Sequence, residues 1–290
     1  MLSLHTNNAS LSAQNSIAKT QSQLSTSMTR LSTGFRINSA MDDAAGLQIA
    51  TRLKAQTSGM TVAMNNTQNS TSLLQTAMGA FGEVTNMLVR MKDLATQAAD
   101  ASSSADDKTA MQSEFDALGL ELKNVMKNTS FGGTTLLGDG ATATSGTLSA
   151  AMTFQIGASS TETMSLNATT NMAALNTALG SVSANFSTTA TAGTELTANA
   201  TTAISNLTTA ISAVGTVNSQ LGAAANRLDH INNNLSNIST NTKAATGRIM
   251  DTDYATESSN MTSSQMLLQA GTAMLKQSNS MSQMVMSLLQ

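Results

Sequence analysis

The chain has 290 residues, of which 40% are hydrophobic but only 2% aromatic, with 0 Pro, 0 Cys and 0 Trp. Charge is sparse, 11% of residues with a net value of −3, against about 25% charged in ordinary domains. These figures exclude disulfides, thiolate chemistry and a basic field for nucleic acid or an anionic membrane. They also favour thin helix–helix seams over a thick aromatic core.

In chain order, the N-terminus MLSLHTNNASLSAQNSIAK has no basic leader and no continuous apolar stretch, so it does not read as a cleavable signal peptide. No run approaches the roughly 20 apolar residues of a membrane span. Apolar residues at Leu4, Leu11, Leu24, Met28, Leu31 and Phe35 predict a first helix with a coiled-coil-like seam. The stretch LSTGFRINSAMDDAAGLQIA, residues 31–50, then breaks it without a proline. Gly34 suits the left-handed position that ends a helix, and Arg30 and Arg36 complement its negative end. Ser39 followed by Asp42 predicts a capping box, with Asp42 and Asp43 in the first turn of the next helix. That helix shows a seven-residue repeat, Leu53, Met60, Thr67, Leu74, Phe81, Leu88, Ala95.

From about residue 140 to 200 the chain is rich in Ser, Thr, Ala and Gly. Within it, alternating Met152, Phe154 and Ile156, a polar turn, and alternating Met164 and Leu166 predict a β-hairpin. The remainder reads as loop or surface-exposed helix. Next, Leu221, Ala224, Leu228, Ile231, Leu235, Ile238, Thr242, Ala245 and Ile249 alternate spacings of three and four. A second break follows at RIMDTDYATE, residues 248–257, with Arg248, Asp251, Asp253 and Glu257. The last helix carries Leu267, Gly271, Met274, Ser278, Met281, Val285 and Leu288 on its predicted seam.

The fold class expected is mainly α: long helices packed as a coiled-coil-like bundle, the N- and C-terminal helices paired, plus one small hairpin. The organisation expected is an inner terminal pair, 1–33 with 255–290, and elbow linkers, 34–46 with 248–254. An outer helical unit, 47–140 with 196–247, carries a variable Ser/Thr-rich segment, 141–195.

Catalysis finds little material. The two histidines, His5 and His230, lie in helical patterns and in no metal-ligand spacing. No nucleophile-elbow, phosphate-loop or dinucleotide motif occurs in a fitting context. The pairs Asp42–Asp43 and Asp251–Asp253 could be imagined as a metal or acid/base cluster, but helix capping accounts for them. Their spare valence is read as pairing with arginines of neighbouring subunits. The 20 Met read as core and as packing material that adapts to non-identical neighbours. The terminal helices are unusual in charge: Lys19 is the only Lys, Arg, Asp or Glu from Met1 to Thr29, and Lys276 the only one from Ser258 to Gln290. An uncharged polar face opposite an apolar seam suits burial on most sides in an assembly, with the polar face lining a channel. The competing reading is low-complexity disorder of the lone chain.

STGFRINSAMDDAAGLQIATRL (32–53) resembles the N-terminal signature of bacterial flagellins, and TVNSQLGAAANRLDHINNNLSNIST with RIMDTDYATESSNM resembles the C-terminal one. The likeness covers roughly residues 1–137 and 216–290. FQIGASSTETMSL is similar to the hairpin of the flagellin core. The resemblance implies a non-enzymatic subunit, without cofactor or metal, that is exported unfolded by the flagellar type III route and polymerises into the extracellular filament. It implies a homopolymer with itself, and as partners the flagellar cap, junction proteins and an export chaperone, with neither nucleic acid nor membrane among them. Leu4, Leu11, Leu24, Met28, Leu31, Leu267, Met274, Met281, Val285 and Leu288 would form the assembly seam. Arg36, Asp42, Asp43, Arg248, Asp251 and Asp253 would make the elbow contacts. Arg90, Leu94 and Glu114 match the patch that the animal Toll-like flagellin receptor grips. The alternative within the same export system is a hook–filament junction protein; outside it, an enzyme or a soluble binding module.

Overall fold

The computed structural model describes residues 7–138, 145–187 and 193–287. In chain order the elements are α1 (Asn8–Thr33), α2 (Ala44–Ala99), α3 (Ala105–Asn128), β1 (Ser130–Phe131), β2 (Thr134–Thr135), β3 (Met152–Gln155) and β4 (Thr163–Leu166). They are followed by α4 (Thr169–Val182), α5 (Ala184–Ser187), α6 (Glu195–Met250) and α7 (Tyr254–Ser287). The fold is mainly α, as the spacing predicts. Two compact units divide the chain, one of residues 1–57 with 240–290 and one of residues 58–239.

The unit of residues 58–239 holds the hydrophobic core. Met60, Thr67, Leu74, Phe81, Leu88 and Ala95, six members of the heptad repeat, are all buried. On α6 the buried positions run Ala203, Leu207, Ala210, Val214, Val217, Leu221, Ala224, Leu228. This alternation of three and four keeps one stripe on one side of a helix of 3.6 residues per turn. Phe115, Leu122 and Met126 of α3 and Met172, Leu175, Leu179 and Val182 of α4 complete the same cluster.

The β3–β4 hairpin forms with Phe154 opposite Met164 and Met152 opposite Leu166. A second ribbon, Ser130–Phe131 with Thr134–Thr135, was not anticipated; its turn is Gly132–Gly133, both at positive φ, the geometry that a two-residue hairpin needs. The reading of the rest of the middle segment as loop or exposed helix is corrected by α4, which buries a full face. The long run of α6 starts at a break, Asn199 at φ −157°, whose side chain accepts from the Thr202 amide at 3.4 Å.

Polar side chains fit into these helices by bonding back along the chain. The hydroxyls of Thr57, Thr71, Thr85 and Thr96 each donate to the carbonyl four residues earlier, at 2.8–2.9 Å. An uncharged Ser/Thr-rich helix thereby satisfies its hydroxyls without neighbours.

Gly59 seats the hairpin turn: a Cβ there would stand 2.6 Å from the Ala158 methyl. Gly79, on the same helix, has open space around it. Gly59→Leu should therefore lower stability by about 2 kcal/mol through overpacking, and Gly79→Ala should raise it by about 1 kcal/mol through helix propensity. Urea unfolding of the two variants against the parent checks both signs.

Candidate functional site

The elbow lies within the unit of residues 1–57 and 240–290. Gly34 ends α1 at φ 76°, and its amide donates to the Arg30 carbonyl at 2.8 Å. The chain beyond it crosses the end of α6. Phe35 and Asp251 form an antiparallel bridge, the Arg36 amide donates to the Met250 carbonyl at 2.6 Å, and the Thr252 amide to the Gly34 carbonyl at 3.0 Å. The Arg36 guanidinium adds a bond from Nη2 to the Ile249 carbonyl at 3.0 Å. A cation thus sits on the free carbonyls of the last turn of α6, where the helix dipole is negative. Arg248 stands in that same last turn. Tyr254 Oη reaches the Leu31 carbonyl at 3.2 Å, and Arg30 pairs with the buried Glu257 carboxylate at 3.7 Å.

The acidic residues divide the capping work differently from the expectation. The helix begins at Ala44, and its cap is Asp43, whose Oδ1 accepts from the Gly46 amide at 2.9 Å. Asp42 instead closes the preceding turn, accepting from the amides of Asn38 at 3.0 Å and Ser39 at 2.8 Å. Ser39 is therefore not the N-cap, and neither aspartate lies inside the first turn. The pattern misled because two capping residues stand side by side. At the second break Asp253 caps α7, accepting from the Ala255 amide at 3.0 Å and the Thr256 hydroxyl at 2.6 Å.

Backbone hydrogen bonds from Ser39 and Asn38 hold the Asp42 carboxyl below its ordinary value of 3.8, as the Thr256 hydroxyl and the Ala255 amide do for Asp253. Both carboxyls are depressed in the folded chain, so their contribution is complete above the ordinary value and is lost as pH falls through the lowered ones. The elbow turns should loosen only in acid below pH 3.8. Side-chain carboxyl shifts followed by NMR should give both midpoints under that value; midpoints at or above it would mean that the caps are absent in solution.

The terminal helices pair within this unit along a stripe that shares Leu24, Leu31, Gly271 and Ser278 with the expected one and otherwise differs from it. On α1 the covered positions are Ser10, Ala13, Ile17, Thr20, Leu24, Ser27 and Leu31, and on α7 Glu257, Met261, Ser264, Leu268, Gly271, Leu275 and Ser278. Ser10 Oγ also lies 3.3 Å from Asn279 Oδ1. Of the proposed seam, Leu24 and Leu31 are half-buried here, whereas Leu11, Met28, Leu267, Met274 and Met281 stand 47–69% exposed. They cannot form this intrachain seam, because on α7 Leu267, Met274 and Met281 lie about a quarter-turn off the covered stripe. Leu4 and Leu288 lie outside the described residues, as does the side chain of Val285.

In the unit of residues 58–239, Arg90 donates to Glu114 Oε1 from Nε at 2.8 Å and from Nη2 at 2.7 Å, both side chains being about half exposed. Leu94 does not join them on the surface. It is 2% exposed, buried with Met91, Ala95 and Ala98, because the end of α2 is covered on a wider face than its heptad stripe alone. Its expected place in an exposed patch is corrected accordingly.

Sequence reasoning missed a polar hub in the same unit. The buried Gln112 accepts from the Leu196 amide at 2.7 Å and donates to Asp116 at 2.9 Å and Glu195 at 2.8 Å. Asp116 in turn accepts from the Gly193 amide at 3.0 Å, and Glu195 from the Ala184 amide at 2.9 Å. No periodic signal marks these residues. Among the described residues no group of three or more His, Cys, Asp or Glu could hold a metal ion, and no helix is long and apolar enough to cross a membrane.

Residues 4–142 match the bacterial flagellin N-terminal helical region, and residues 204–289 match the bacterial flagellin C-terminal helical region. The chain belongs to the bacterial flagellin family. The two matched stretches contain α1 to α3 and the α6–α7 elbow just described. Among curated relatives, polar flagellin F of Vibrio parahaemolyticus is 47% identical over 165 residues, 57% of this chain and 42% of that protein. B-type flagellin of Pseudomonas aeruginosa is 45% identical over 166 residues, 57% of this chain and 32% of that one. These matches thus span less than half the length of either flagellin. Among solved structures, a chain described as a flagellar hook-associated protein from Vibrio parahaemolyticus aligns over 72% of this chain and 100% of its own, with a TM-score of 0.55 at 14% identity. That likeness concerns the fold alone.

Proposed function

We propose that the chain is a structural subunit of the extracellular bacterial flagellar filament, without enzymatic activity, exported through the flagellar secretion route and polymerised with copies of itself. The observation that supports this best is the double use of the terminal helices. One stripe of α1 and α7 is covered within the chain, while Leu11, Met28, Leu267, Met274 and Met281 remain exposed on helices with almost no charge to solvate them. Neighbouring copies would cover these side chains, each burial contributing about 1.5–3 kcal/mol. The exposed carboxylates of Asp42, Asp43, Asp251 and Asp253, with Arg36 and Arg248, would meet neighbours at the elbow. Such exposed pairs are worth about 0–1 kcal/mol singly but recur at every subunit. A cap, junction proteins and an export chaperone are the further partners this reading requires.

The test is electron microscopy of purified chain mixed with filament seeds. Long tubular filaments are expected; short capped ends would favour a junction protein of the same system, and no polymer would overturn the reading.

A second role is proposed for the monomer at Arg90 and Glu114, as contacts of the animal Toll-like flagellin receptor. Leu94 is excluded from direct contact by its burial. Reporter cells should respond to monomer and lose at least tenfold in potency with Arg90→Ala. Since the Arg90–Glu114 pair is exposed, that variant should lose less than about 1 kcal/mol of stability, so a fall in signal would not reflect unfolding. A silent parent monomer would overturn this role.

A further inference from the structure

The methionines of α7 carry a chemistry beyond the packing that assembly asks of them. Met266, Met274, Met281 and Met284 stand 58–69% exposed on α7, off the stripe that its partner helix covers. Five others, Met60, Met91, Met126, Met164 and Met172, are 3% exposed or less in the core of residues 58–239. A helix that needs only apolar packing can use leucine, as this one does at Leu267, Leu268 and Leu275. Thioethers differ from leucine in having a nucleophilic sulfur that water-borne oxidants can reach.

We propose that Met266, Met274, Met281 and Met284 are a peroxide-sensitive modification site that gates self-assembly; this rests on the filament reading above. The step is a two-electron oxygen transfer. A sulfur lone pair attacks one oxygen of hydrogen peroxide, the O–O bond breaks, and the thioether becomes a sulfoxide while the peroxide leaves as water. The reagent is external and of the peroxide class. Sulfoxide formation turns a flexible apolar side chain into a polar one. In the lone chain the new S=O group is solvated and costs little, because these side chains already face water. In an assembled wall it would be buried without a hydrogen-bond partner, which disfavours association. The device therefore acts on the free subunit before it is incorporated, and incorporation removes the sulfurs from the oxidant. A methionine sulfoxide reductase would reverse it.

The experiment treats purified, unassembled full-length chain with dilute hydrogen peroxide, maps sulfoxides residue by residue by peptide mass spectrometry, and measures seeded polymerisation. Met266, Met274, Met281 and Met284 should oxidise at least tenfold faster than Met91, Met126 and Met172. The critical concentration should rise at least tenfold and return after reductase treatment. The quadruple variant Met266→Leu, Met274→Leu, Met281→Leu, Met284→Leu should polymerise like the parent and stay competent after peroxide. Equal oxidation of exposed and buried sulfurs, parental polymerisation after full oxidation of the four, or a quadruple variant inactivated as the parent is would each overturn the proposal. If the reduced parent itself forms no polymer, the filament reading fails and the gate with it, a result the sulfoxide map cannot mimic.

Discussion

A chain carrying Leu267→Asp should fold normally and form no filaments. Leu267 is exposed on α7, so in the free subunit the new carboxylate is solvated and the stability change should stay within about 0.5 kcal/mol. In an assembled wall the same carboxylate would be buried without a cation, since Lys276 is the only charged side chain from Ser258 to the end of the sequence. A penalty of about 3 kcal/mol for that burial raises the critical concentration roughly 100-fold. Leu11→Asp on α1 should behave alike. Sedimentation of seeded samples measures the polymer, and thermal melting of the core confirms that the subunit is intact. Filaments of normal yield would mean that this face of α7 looks into solvent or a channel, and the assembly surface would have to be sought elsewhere.

Much of the fold could be read before any coordinates because its core obeys one period. Along α2 the repeat from Met60 to Ala95 buries every member, including Thr67, whose hydroxyl donates to the Ala63 carbonyl. Along α6 the spacing slips once, at Ile238, which is exposed while Ser239 is buried; there a small polar residue took a place that hydrophobicity assigned to its neighbour, and Thr242, Ala245 and Ile249 are half-buried again. The terminal helices show the same failure more strongly. Their covered stripe contains Ser10, Ser27 and Ser264, small residues that let helices approach closely but give no apolar signal. The large side chains that do give one, Met28, Leu267 and Met274, lie to the side of that stripe and stay exposed. An apolar period finds the greasiest stripe of a helix, which is the intrachain one only when a single partner exists. The elbow was legible in position, since Gly34 and the aspartates mark helix ends by chemistry that acts over three residues. The assignment of each aspartate was not, because adjacent capping residues leave the register open by one.

The Gln112 hub lay beyond the reach of pattern, and its removal should have the largest effect of any single polar substitution in the unit of residues 58–239. Gln112 is one side chain doing three jobs: it accepts from the buried Leu196 amide and bridges two carboxylates, Asp116 and Glu195. Those carboxylates in turn accept from the Gly193 and Ala184 amides, so the hub ties α3 to the start of α6 and to α5. In Gln112→Ala the Leu196 amide loses its acceptor, and the two carboxylates face each other without the amide group between them. An unsatisfied buried donor costs about 1–3 kcal/mol, and the like-charge contact adds to it, giving an expected loss of about 3 kcal/mol. Gln112→Glu should be worse still, because a third carboxylate keeps the acceptor but gives up both donors. Raising salt should recover part of the Gln112→Glu loss by screening and almost none of the orphaned-amide cost in Gln112→Ala. Urea unfolding at low and high salt separates the two contributions. Hydrogen exchange should show the Gly193, Ala184 and Leu196 amides losing protection together, whereas exchange confined to Leu196 would mean that Asp116 and Glu195 hold their loops without Gln112.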